Sequence, residues 1–210
     1  MTLKKISWIK LIVHVAAWSW IFILVFDYIA GKLSINPIQA VTQRTGKAAL
    51  IFLMLSLACT PINTLFGFNK IIQARRWLGL YAFFFASLHL LTFIGLDYGF
   101  NFSLLKYEFV QKRYILVGSL AFLLLIPLAI TSFRWRMRKH KQNWKRLHRL
   151  VYLIGALVIV HFGWVSKGDF FRLQGDVWEP FLFGVFFLLL LIIRVPQVSR
   201  SITNFRTNTR

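Results

Sequence analysis

Six apolar runs, at 8–29, 47–66, 77–97, 114–133, 147–166 and 178–195, constrain this 210-residue chain more than any other feature. A helix rises about 1.5 Å per residue, so each run is long enough to cross the hydrocarbon core of a bilayer. No water is available there, so every backbone N–H and C=O must be satisfied inside its own segment, which favours helices. The expected fold is therefore all-α: a polytopic membrane protein built as a six-transmembrane-helix bundle, with residues 1–210 forming one domain. A hydrophobic content of 58% and a mean hydropathy of +0.63 exclude an ordinary soluble domain. Lys4, Lys5 and Lys10 flank the start of the first run like a signal peptide. The run is too long for one and has no small-residue cleavage site, so it reads as a retained helix.

The net charge of +20 would suit nucleic-acid binding if the cations formed a patch. They lie instead between the apolar runs. With the N terminus inside, 18 of the 26 lysines and arginines fall on inner segments and 8 on outer ones, and all six acidic residues fall outside. Cation bias sets orientation, so both termini are expected in the cytoplasm. Trp77, Trp135 and Trp144 near the inner interface, and Trp164 and Trp178 near the outer one, fit aromatic belts. Pro61 and Pro127 are expected to kink their helices. The segment 98–111 is expected to lie at the interface. The segment 196–210 reads as a short basic cytoplasmic tail, too short to fold, and no internal repeat is evident.

Two histidines, His89 and His161, occupy apolar runs at matching depth. Counting from the inner ends of their helices, His89 lies about 18 Å up and His161 about 21 Å up. Ionisable side chains inside a membrane are costly and are functional candidates by default. Two imidazoles facing each other can clamp a flat metal macrocycle, which points to a b-type haem with His89 and His161 as axial ligands. The alternative is that both rings hydrogen-bond between helices as structural glue. The single cysteine, Cys59, excludes an intrachain disulfide, a zinc cluster and covalent c-type haem attachment. Gly79, Ala86, Ser87, Gly155, Ala156 and Gly163 would leave room for a porphyrin, although small residues also serve helix packing.

His148 lies thirteen residues before His161, a spacing that turns it to another side of a straight helix. A bulge near Gly155 would realign the two, or His148 faces a second cofactor. Arg75 and Arg76 stand where a fourth histidine would have to be, so a second bis-histidine haem is not supported. Arg75, Arg76, His148 and Arg149 together suit haem propionates or a flavin phosphate, and equally suit inner-face positive charge. His14 reads as structural, and His140, in RWRMRKHKQNWKR, as solvated.

The segments TGKAALIFLMLSLACTP, RRWLGLYAFFFASLHLLTF, RYILVGSLAFLLLIPLAITS and WKRLHRLVYLIGALVIVHFGW carry a likeness through nearly the whole chain. The chain resembles the ferric reductase-like transmembrane family, and within it the haem-binding membrane subunits of bacterial methionine sulfoxide reductase systems. In the wider family two helices each carry a histidine pair thirteen or fourteen residues apart. His148 and His161 match one pair and His89 the outer member of the other. The resemblance implies haem b and FMN as cofactors, quinol as donor, and a periplasmic molybdopterin partner that repairs oxidised methionine. It implies a place in the bacterial inner membrane. No flavin and nicotinamide domain follows the last run, so a separate electron donor is expected. Rival readings are another b-type cytochrome or transmembrane metalloreductase, and a transporter or cofactor-free scaffold. The lack of a charged mid-membrane pathway argues against transport.

Overall fold

The apolar runs close into helices in the computed structural model, which describes residues 8–132, 141–166, 168–169 and 174–208. In chain order these are α1 (Trp8–Ile29), α2 (Pro37–Phe66), a 3₁₀ turn (Asn69–Gln73), α3 (Arg75–Leu91) with a π-helical extension (Thr92–Asp97), α4 (Phe102–Gln111) and α5 (Arg113–Thr131). There follow α6 (Lys141–His148), α7 (Leu150–Val165), a two-residue antiparallel pair β1 (Gly168–Asp169) and β2 (Gln174–Gly175), α8 (Trp178–Arg194) and α9 (Pro196–Asn208). Among the described residues five helices are long and apolar enough to cross a membrane, and α8 makes a sixth if it is counted with α9. The protein is an all-α, multi-pass membrane protein. Lys4, Lys5, Trp135 and His140 lie outside the described residues.

Capping sets the helix limits where hydropathy misplaces them. The α2 helix starts ten residues before its apolar run because Asn36 accepts a hydrogen bond from the Gln39 amide at 3.1 Å and Pro37 occupies the first turn. It ends where Gly67 turns left-handed, at φ 70°, and returns its N–H to the Asn63 carbonyl. The 98–111 segment contains a helix of its own, α4, capped by the Asn101 side chain on the Leu104 amide. The 196–210 segment, expected to be too short to fold, is helical over Pro196–Asn208. Arg206 explains the correction, since its Nη1 donates to the carbonyls of Asn63 and Thr64 at the end of α2.

Residues cluster into two compact units, one of Met1–Phe93 with Ile193–Arg210 and one of Ile94–Ile192. In the first, α2 and α3 pack antiparallel around Phe52 and Phe85, whose rings stack at 5.3 Å, with Leu53, Met54 and Leu57 buried beside them. The Ser56 hydroxyl bonds the Arg75 carbonyl at 3.0 Å. In the second, α5 and α7 pack antiparallel around Ile115, Leu125 and the fully buried Ile154. The large apolar side chains left exposed, such as Phe22, Leu123 and Leu188, suit a lipid surround.

Both intramembrane prolines lie within unbroken helices. Proline has no N–H to give to the carbonyl four residues earlier. For Pro61 that carbonyl is Leu57, and Arg194 donates to it. The backbone carbonyl of Pro127 itself accepts from the Thr131 hydroxyl at 2.6 Å.

Candidate functional site

His89 stands two residues before the end of α3, beside the first turns of α2. Its Nδ1 lies 2.8 Å from the Thr42 carbonyl. His161 stands four residues before the end of α7, beside the first turn of α5, and its Nδ1 lies 2.8 Å from the Tyr114 carbonyl. A carbonyl oxygen can only accept, so each Nδ1 carries the proton. In the neutral ring that proton placement puts the lone pair on Nε2. Metal-ligating histidines characteristically show this arrangement, with one ring nitrogen donating to a carbonyl and the other available to the metal.

Each ring lies against a glycine of its partner helix, His89 against Gly46 and His161 against Gly118. Gly79 faces the Ser56 hydroxyl, and Gly155 is packed by the Phe187 ring of α8. Thr42, Gly46, Tyr114 and Gly118 did not stand out in the sequence. The available signal was spacing: both histidines follow their carbonyl by 47 residues. The second set of residues lies 72 positions after the first.

His148 ends α6, one residue before α7 begins, within the Arg146–Val165 stretch that crosses as one apolar span and also holds His161. The chain tightens at Arg149, whose N–H bonds Arg146 and whose carbonyl takes the Tyr152 N–H, both three residues apart. The break therefore falls at Arg149, while α7 runs unbroken past Gly155, so the expected bulge is absent there. His148 Nε2 lies 3.3 Å from the Thr131 hydroxyl, and its ring lies 4.3 Å from the Trp144 ring. The Thr131 proton goes to the Pro127 carbonyl at 2.6 Å, so His148 Nε2 is the donor.

His14 Nδ1 lies 2.6 Å from the Tyr81 hydroxyl and its ring meets Trp77 edge-on, which ties α1 to α3. Arg75 and Arg76 open α3, with the Arg76 guanidinium 5.6 Å from the Trp77 ring. Arg149 is exposed. Just ahead of α5, the Glu108 carboxylate accepts from Lys112 and raises its ammonium pKa well above the usual lysine range.

Residues 45–160 match the family model of the ferric reductase like transmembrane component, a stretch that includes His89 and His148 and stops one residue short of His161. A protein of Xanthomonas euvesicatoria pv. vesicatoria is 40% identical over 207 residues, covering 95% of this chain and 92% of that protein. One from Herminiimonas arsenicoxydans is 41% identical over 80% of this chain and 75% of its own length. One from Rhodospirillum rubrum is 42% identical over 82% and 81%. Each bears the name protein-methionine-sulfoxide reductase heme-binding subunit MsrQ.

Proposed function

The chain belongs to the ferric reductase-like transmembrane family and, within it, to the MsrQ haem-binding subunits, and on that premise we propose that it binds haem b through His89 and His161 and carries electrons from membrane quinol to a periplasmic molybdopterin partner, MsrP. The observation that supports this reading is the matched holding of both rings, each with its Nδ1 2.8 Å from a backbone carbonyl near the start of the neighbouring helix. The donor set fits a haem iron: neutral imidazoles, oriented by carbonyls, in apolar surroundings. Haem b, when bound, supplies a one-electron iron couple. His89 and His161 hold it, and the carbonyls of Thr42 and Tyr114 keep the rings oriented and the Nδ1 protons in place.

The remaining assignments complete the reading. Arg75, Arg76 and Arg149 supply cations for haem propionates or an FMN phosphate, and His148 is a further candidate beside a second cofactor. FMN, quinol and MsrP rest on the family resemblance. The cation bias of the loops puts the His89 and His161 level toward the periplasm of the bacterial inner membrane, near the partner. The sulfoxide is reduced on the partner, not on this chain.

His89→Ala and His161→Ala test the ligands. Each variant is expected to insert into membranes and lose most low-spin haem absorbance. Full retention of the low-spin spectrum by both variants overturns the ligand assignment. Reduced wild-type protein is expected to be oxidised by MsrP, and no oxidation would remove that partner.

A further inference from the structure

Two side-chain arrangements recur in separate halves of the chain. In each, a histidine near the C-terminal end of one helix gives its Nδ1 proton to a carbonyl near the N-terminal end of an antiparallel neighbour, 2.8 Å away. In each, the residue four positions after that carbonyl is a glycine. A methyl carbon on Gly46 would stand 2.9 Å from His89 Nδ1 and 3.1 Å from its Cε1. A methyl carbon on Gly118 would stand 2.7 Å and 2.8 Å from the same atoms of His161. Side-chain carbons do not approach ring atoms that closely, so any larger residue must displace the imidazole. Neither glycine has a left-handed backbone, so what is required is the space and not the φ angle.

The geometry points to Gly46 and Gly118 as positioning residues of a twice-used histidine clamp, each letting an imidazole lie on the helix so that its Nδ1–H reaches the carbonyl of Thr42 or Tyr114. The inference rests on the proposed haem ligation and deepens it. A hydrogen bond from Nδ1 raises the basicity of the ligating Nε2 and favours the oxidised iron. The glycines therefore set ligand strength as well as ring orientation. Gly79 and Gly184 are matched controls on the same helix pairs or their neighbours, because a methyl there meets its nearest atom at 3.5 Å and 3.6 Å, ordinary contact.

Gly46→Ala and Gly118→Ala are tested beside Gly79→Ala and Gly184→Ala in purified protein. The first two are expected to lose haem affinity about tenfold or more, the usual cost of disturbing a ligand's hydrogen-bond partner, and to raise the midpoint potential of the haem they retain. The low-spin electron paramagnetic resonance signal should shift in both, while the two controls keep wild-type signal, affinity and potential. Wild-type affinity, signal and potential in Gly46→Ala and Gly118→Ala overturn the clamp. His89→Ala and His161→Ala run in parallel separate the two ideas: if they keep low-spin haem the ligand reading falls, and if they lose it while the glycine variants stay unchanged only the clamp falls. Should a glycine variant fail to insert, His161→Gly supplied with imidazole or 1-methylimidazole decides. Imidazole can donate to the Tyr114 carbonyl and 1-methylimidazole cannot, so imidazole should restore the low-spin spectrum at about tenfold lower concentration. Equal potency overturns the clamp.

Discussion

Arg194 donates a hydrogen bond to the carbonyl of Leu57, the acceptor that Pro61 leaves without its helical donor. An intramembrane carbonyl with no partner is costly, and a guanidinium is a strong donor. The arginine thus offsets the defect that a proline makes in α2. Arg194→Met should lower the thermal stability of the protein in detergent by about 1.5–3 kcal/mol, the range for a hydrogen bond to a charged group. Pro61→Ala restores the backbone donor at 61, so Arg194→Met should cost clearly less in that background. A double-mutant cycle on melting temperature measures the coupling, and equal cost in both backgrounds would show that the bond does not compensate the proline.

The apolar runs located the helices because lipid forces backbone satisfaction into each segment, and that constraint is legible residue by residue. It also placed His89 and His161 within helices. Polar stretches were less legible. Gln39, Gln43, Arg44 and Lys47 interrupt the apolar pattern at the start of α2, yet Asn36 and Pro37 start the helix ahead of them. Folding of the tail depends on Arg206 meeting carbonyls more than 140 residues away, which no local pattern reveals. Thr42 and Tyr114 act through backbone carbonyls, so their side chains give no sign of the role. Gly46 and Gly118 matter only because of what lies opposite.

His148 should be dispensable for haem binding. Its Nε2 serves Thr131, and no histidine occupies the corresponding place at the start of α3, where Arg76 stands. Wild type is expected to hold one haem b per chain by pyridine haemochrome assay against protein mass, and His148→Ala is expected to hold the same. A reproducible ratio near two, falling to one in His148→Ala, would make His148 an iron ligand.

Orientation follows from cation placement and, on the proposed function, sets the side on which electrons would leave. Cysteine reporters at Thr2 and Thr209 in a Cys59→Ala background should be labelled by impermeant maleimide only after the inner membrane is permeabilised. A reporter at Asp176, in the turn before α8, should be labelled in intact spheroplasts. In oriented vesicles of the reduced protein, MsrP should cause oxidation from the periplasmic side alone. Labelling with the opposite pattern, or equal oxidation from the cytoplasmic side, would reverse the assigned direction.

Arg206 ties α9 to α2 through Nη1, which donates to Asn63 at 3.0 Å and to Thr64 at 2.8 Å. Both carbonyls belong to the last turn of a helix; Asn63 already accepts the Gly67 N–H, and the guanidinium adds a donor to it and to Thr64, extending the cap begun by Gly67. Gly67 is held at φ 70°, and a methyl carbon there would stand 3.2 Å from Arg206 Nη1. Ile202 and Phe205 line a recess with Leu65 beside the same contact, but Phe205 is 74% exposed, so apolar burial alone holds the helix weakly. Arg206→Ala should therefore release α9 while leaving α2 and α3 folded. Amide hydrogen exchange over 198–207 should accelerate at least about tenfold, matching loss of a charge-assisted bond, with no change over 50–60. Gly67→Ala should accelerate the same amides through strain at φ 70° and displacement of the guanidinium. Unchanged exchange across 198–207 in Arg206→Ala would mean that the helix is held by its apolar contacts and not by the cap.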